Sequence, residues 1–226
     1  MAKIPLLLLS GLLSNQSLWA HQIKYLEDIA SIQVISSEEN TPEKMVGAIL
    51  EKAPPLFALA GHSMGGWLSL EIMRVVPSRV TKLCLLNTTA RSDSEEKRKK
   101  RKEMISDAQK GRFESCVVEI ADKLVFNPLV KRGVEKMFRE VGKEVFIHQE
   151  QAMLQRRETQ SVLQAIRCPT LVIHASHDAN FSSEEHLELA QIPDAKLAIV
   201  EDSGHMSPIE MPQAVTALLR FWLTYF

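Results

Sequence analysis

The chain has little of what commits a protein to several specialised classes. Its 226 residues include three cysteines, Cys84, Cys116 and Cys168, scattered and odd in number. That excludes a disulfide framework, and without any C-x-x-C pair no zinc site is suggested. A reducing, cytoplasmic setting is expected, with no metal and no organic cofactor. An excess of one charge is also missing, because 27 basic and 28 acidic side chains leave a formal net charge of −1. No global field draws the chain to nucleic acid or an anionic membrane, and neither is expected as a partner. Long hydrophobic runs are absent as well. The stretch from Ile4 to Leu13 is far below the ~20 residues that span a bilayer. It follows Lys3 and resembles a short signal sequence, but it lacks a small-x-small cleavage site. It reads instead as a buried first strand that the mature protein needs. Glycines number only nine, so a glycine-dependent motif rarely arises by chance.

What is present reads as one domain with a sizeable core. Short apolar runs alternate with helical patterns. Strands are expected at Ile4–Leu9, Ile32–Ile35, Leu56–Ala60, Val80–Leu86, Thr170–His174 and Ala195–Val200. Helices are expected at Leu18–Ile29, from Thr41-Pro42-Glu43 to about Lys52, and at Met64–Val76, Ser183–Ala190 and Pro212–Thr224. Thr41 reads as a cap with proline at the first helical position. This alternation predicts an α/β fold, doubly wound around a mostly parallel sheet of about six strands. Between about Ala90 and Gln160 the rhythm changes and only helical stretches remain. That predicts a core of residues 1–89 and 161–226 interrupted by a helical lid of residues 90–160.

One motif carries chemistry. Gly61-His62-Ser63-Met64-Gly65 is G-x-S-x-G, placed between an expected strand and an expected helix. Such a turn strains the serine and projects it at the carboxyl edge of the sheet, beside the N–H groups of a helix N-terminus. A serine hydroxyl needs a base, and Ser203-Gly204-His205 lies on the loop after the last strand. The base needs an orienting acid, and Ala175-Ser176-His177-Asp178 follows the preceding strand. The order Ser63, Asp178, His205 is the one this strand–turn–helix context calls for. Asp202, Glu201 and Asp194 are nearby acids, but they lie on or before the loop of His205. An oxyanion needs backbone donors. Met64 N–H follows the nucleophile, and Leu12 N–H is assigned from the loop after the first strand, which Gly11 frees to turn. Pocket candidates are His62, Trp67, Phe181 and Met206, although Trp19 and Trp67 read more readily as core.

Together these stretches resemble the α/β-hydrolase superfamily across nearly the whole chain. The resemblance rests on Leu9-Ser10-Gly11-Leu12-Leu13, on Ala60 to Trp67, on Ile173 to Asp178, and on Asp202 to Glu210 with Pro212. It implies a lid over the site and a Ser63–His205–Asp178 triad. Ser10 stands where many relatives have histidine, and Ala175 where glycine is common. The first strand here corresponds to what is usually the third. A serine nucleophile argues against relatives that use aspartate, such as dehalogenases and epoxide hydrolases.

Three functions follow from the resemblance. The first is hydrolysis of a small carboxylic ester or thioester through an acyl-enzyme. The second is carbon–carbon bond chemistry like that of the menaquinone-pathway synthase, which basic side chains in the pocket would favour. Arg91, Arg156 and Arg157 are its candidates. The third is a non-catalytic binder of a small molecule. The run Lys97 to Lys102 is flanked by acids and reads as a solvated face of the first lid helix, with pairs such as Glu95–Lys99. Oligomeric state is not legible.

Overall fold

A computed structural model describes residues 3–226. Six parallel strands form one sheet in the order β2-β1-β3-β4-β5-β6. They are β1 (Ile4–Leu9), β2 (Ala30–Ile35), β3 (Phe57–His62), β4 (Val80–Leu86), β5 (Thr170–Ala175) and β6 (Lys196–Val200). All six expected strands form, within two residues at their ends. β3 starts one residue late, because Leu56 is exposed, and runs on through Gly61 and His62.

Alternation along the strands feeds two apolar layers. Leu6, Leu8, Ala58, Ala60, Leu86 and Ile173 face one side. There they meet α1 (Ala20–Leu26) and α11 (Pro212–Tyr225), with Trp19 and Trp222 fully buried. Leu7, Leu9, Phe57, Leu59, Leu85 and Val172 face the other side. There they meet α2 (Pro42–Lys52), α3 (Met64–Val75), α8 (Gln160–Leu163) and α9 (Ser183–Leu189). Thr41 caps α2 as expected, its hydroxyl accepting Lys44 N–H at 3.3 Å. A short helix α10 (Ser207–Glu210), not anticipated, precedes α11.

Between β4 and α8 the chain makes four α-helices and no strand: α4 (Glu95–Asp107), α5 (Phe113–Leu124), α6 (Pro128–Val141) and α7 (Lys143–Leu154). Gly111, at φ 83°, turns the chain between α4 and α5. Phe138 and Phe146 of this insertion are fully buried and join the layer that holds Trp19. The chain moves from β1 outward to β2, then back across to β3. The loops after β1 and β3 therefore lie side by side at the point where the winding reverses, which is where open α/β sheets bind ligands. Among the described residues, no helix is long and apolar enough to cross a membrane.

Candidate active site

β3 delivers Ser63 to the sheet edge at φ 55° and ψ −117°, a region that L side chains rarely adopt. The turn closes only because its neighbours lack side chains. A Cβ on Gly61 would meet Gly65 O at 2.3 Å, and one on Gly65 would meet Leu9 O at 2.3 Å. Helix α3 consequently lies against β1, with its first N–H groups beside Ser63.

The three residues expected to converge do so. His205 Nε2 lies 2.9 Å from Ser63 Oγ, and His205 Nδ1 lies 3.0 Å from each carboxylate oxygen of Asp178. With the ring proton on Nδ1 and donated to Asp178, Nε2 is free to accept the Ser63 hydroxyl. Burial alone would raise the Asp178 carboxyl, but the charge and hydrogen bond of His205 outweigh it. Donation from Asn180 N–H and the Asn87 amide adds to this, and the group is held well below its ordinary value. Glu201, Asp202 and Asp194 are all exposed, and among the described residues the carboxylate within 4.0 Å of the imidazole is that of Asp178.

Leu12 and Met64 line the same cavity, and the backbone N–H of neither has a hydrogen-bond partner among the described residues. The loop carrying Leu12 turns for a reason different from the one expected. Its left-handed residue is Leu13, at φ 55°. Gly11 is there for closeness, since a Cβ on it would sit 3.1 Å from both Ser63 Cβ and His62 Nδ1. Leu13 N–H donates to Gln149 Oε1 of α7 at 2.9 Å, and Gln149 Nε2 donates to Ser37 O at 2.7 Å.

The cavity holds about 390 Å³. His62, Phe181 and Met206 line it as expected, but Trp67 does not. Trp67 is fully buried in the layer between the sheet and α3, with the Arg156 guanidinium 5.8 Å from its ring, because a large apolar ring gains most by leaving water there. Burial pushes His62 down to about 3, and the ring donates from Nε2 to His205 O at 2.8 Å. A neutral His62 at ordinary pH is part of the wall. The insertion supplies apolar surface from Met104, Ile120, Leu124 and Met153.

The basic run departs in part from its expected role: Lys99 and Lys102 are solvent-exposed as expected, but the run also turns toward the cavity. Lys97, Lys100 and Arg101 line the cavity, and Arg101 pairs with Asp93 at 2.5 Å and Glu150 at 2.6 Å. Glu95 reaches Arg98 at 3.7 Å, one turn position short of Lys99. Periodicity marks an amphipathic helix, but six consecutive cations leave the direction of each to tertiary packing. Arg91, Arg156 and Arg157 stay outside the cavity. Arg91 pairs with Glu188, Arg156 is buried against Thr89 O and Arg91 O, and Arg157 pairs with Glu43.

Four supporting residues were not anticipated. Asn87, at φ 45°, donates to Asp178 at 3.0 Å and accepts Ser207 Oγ–H at 2.6 Å. Thr88 Oγ1 donates to Ser63 O at 2.7 Å. Glu210, noted only as a signature residue, accepts Phe126, Asn127 and Met206 N–H at 2.9, 2.8 and 3.1 Å, tying the insertion to the loop of His205.

This arrangement can deprotonate a hydroxyl and hold an oxyanion. Solved structures share the fold across nearly the whole chain. A thermophilic esterase from Thermogutta terrifontis, with malate bound, is 26% identical at a TM-score of 0.88, over 98% of this chain and 90% of that one. An enol-lactonase from Burkholderia xenovorans is 22% identical at 0.88, over 99% and 92%. MenH from S. aureus is 18% identical at 0.85, over 99% and 94%. No curated protein matches the chain in sequence. The model of the alpha/beta hydrolase family matches residues 7–218, nearly the full length, and the chain belongs to that family.

Proposed function

We propose that this hydrolase cleaves a small carboxylic ester or thioester through an acyl-enzyme on Ser63. The observation that carries this reading is the 2.9 Å contact from Ser63 Oγ to a buried imidazole that is itself held by a carboxylate. Ser63 Oγ attacks the acyl carbon as His205 Nε2 takes its proton, and Asp178 stabilises the imidazolium. Negative charge on the carbonyl oxygen falls to Met64 N–H and Leu12 N–H. Collapse breaks the acyl–oxygen or acyl–sulfur bond, and His205 returns its proton to the leaving alcohol or thiol. Water, deprotonated by the same imidazole, then hydrolyses the acyl-enzyme. Helices α4 to α7 act as the lid that gives the acyl group an apolar wall. The Thermogutta esterase, at 26% identity, supports ester chemistry. The three free cysteines go with a reducing cytoplasm. The three arginines named for a carbon–carbon bond reaction lie outside the cavity; four other basic side chains line it, of which Lys100 and Arg101 are paired with carboxylates.

The test is a panel of short-chain esters and acyl thioesters, assayed with the wild-type protein and Ser63→Ala. Turnover of at least one class, lost in Ser63→Ala, is expected. Equal turnover by both proteins would overturn the assignment.

A further inference from the structure

Four cations line the cavity, and they fall into two pairs. Arg101 is neutralised by Asp93 and Glu150, and Lys100 by Glu119 at 2.5 Å. Lys97 and Lys123 have no carboxylate within 4.0 Å among the described residues. They come from different helices, α4 and α5, yet converge on one residue. Lys97 Nζ lies 3.4 Å from Asn180 O, and Lys123 Nζ lies 3.2 Å from Asn180 Oδ1. Asn180 belongs to the turn that carries Asp178, whose carboxylate accepts its N–H at 2.8 Å. Lys97 Nζ also sits 5.0 Å from the Phe181 ring centroid, and the His205 ring lies 5.6 Å from that same ring. The two ammonium groups thus share a wall with the reacting imidazole. One lining acid, Glu96, also lacks a cation partner, but it is exposed on the first turn of α4, where the helix N-terminus favours it. Lys97 is half-buried and Lys123 is exposed at the cavity rim. Loss of hydration against the wall, then the neighbouring Lys97 and Arg101 charges, outweigh the attraction of Asp178 and Asp93 and hold the Lys123 ammonium below its ordinary value. Two cations that face one cavity, repel each other and have no directly paired carboxylate form a site for an anion.

We infer that Lys97 and Lys123 bind a carboxylate on the substrate, so that the preferred ester is a half-ester of a short dicarboxylic acid. The inference rests on the hydrolase reading of the same site. The free carboxylate receives both ammonium groups while the ester carbonyl lies at Ser63. Apolar contacts from Met104 and Met153 leave room for the methylene chain between them.

The test compares monoethyl succinate, glutarate and adipate with the matched neutral diethyl esters, using wild-type protein, Lys97→Met, Lys123→Met and the double variant. One monoester is expected to exceed its diester in kcat/KM. The double variant should lose about tenfold or more on that monoester and little on the diester, with recovery in Lys97→Arg/Lys123→Arg. Calorimetry with glutarate alone gives a readout independent of turnover. Wild-type protein should bind it, and the double variant about tenfold more weakly. Preference for diesters, with no glutarate binding, overturns the carboxylate site and leaves the hydrolase reading standing. Failure to cleave any ester overturns the hydrolase reading, while glutarate binding still decides the role of the lysines. Equal losses on monoester and diester mark the lysines as structural and overturn the inference.

Discussion

Ser63 keeps a backbone conformation that costs about 1–3 kcal/mol, and its surroundings over-determine it. Its N–H donates to Leu86 O at 2.9 Å, and its carbonyl accepts from Thr88 Oγ1 at 2.7 Å and Gly66 N–H at 3.0 Å. At this scale the orienting acid gives the sharpest prediction. Asp178→Asn should lower turnover by about 10²–10⁴-fold with little change in KM, because the wrong tautomer and the lost charge matter only in the reacting state. Asp202→Asn, on an exposed side chain, should be nearly silent. Comparable losses in the two variants would remove Asp178 from its role. Ser63, Asp178 and His205 were legible because each lies in the turn or loop that follows a strand, in a local pattern of glycines and polar residues. Asn87 and Ser207 were not. A polar residue after a strand is commonplace, and only folding shows that these two meet and hold the acid.

Helix α7 links two parts of the site through one buried side chain. Gln149 accepts Leu13 N–H and donates to Ser37 O, so the insertion fixes the loop that carries Leu12. Gln149→Leu strands both backbone groups, at about 1–3 kcal/mol each. The expected result is a lower melting temperature and a fall in kcat greater than any rise in KM, measured by thermal unfolding and steady-state kinetics. An unchanged kcat would separate α7 from the oxyanion loop. Element positions were read well where apolar alternation or a capping residue marks them, as for β1, β4 and α2. Facing was not. The inward turn of Lys100 and Arg101 on α4 depends on Asp93, Glu119 and Glu150, contributed by the preceding loop, α5 and α7, and that of Lys97 on Asn180 O and the Phe181 ring. No local pattern in Lys97 to Lys102 encodes those partners.

Across the whole molecule, the buried histidines should govern stability in mild acid. Burial pushes His62 down to about 3 and His186 to about 4, against 6.5 in the unfolded chain. Below pH about 6.5 the unfolded chain takes up these protons and the folded one does not. Stability is therefore lost as pH falls through that window, by up to about 1.4 kcal/mol per pH unit for each histidine. Urea unfolding at about pH 7 and pH 5 should show a larger loss for the wild type than for His186→Gln, and identical losses would contradict this. A doubly wound, parallel sheet of six strands followed from the strand–helix alternation, whereas the strand order and the switch between β1 and β3 emerged only from the fold. The cavity was not legible either, because its walls come from segments far apart in sequence. The claim on which the account depends is that Ser63 is activated where it stands. Mass spectrometry after treatment with a fluorophosphonate tests this most directly. The account predicts one adduct on Ser63, slowed in His205→Asn and absent in Ser63→Ala, whereas an adduct that persists in Ser63→Ala would contradict it.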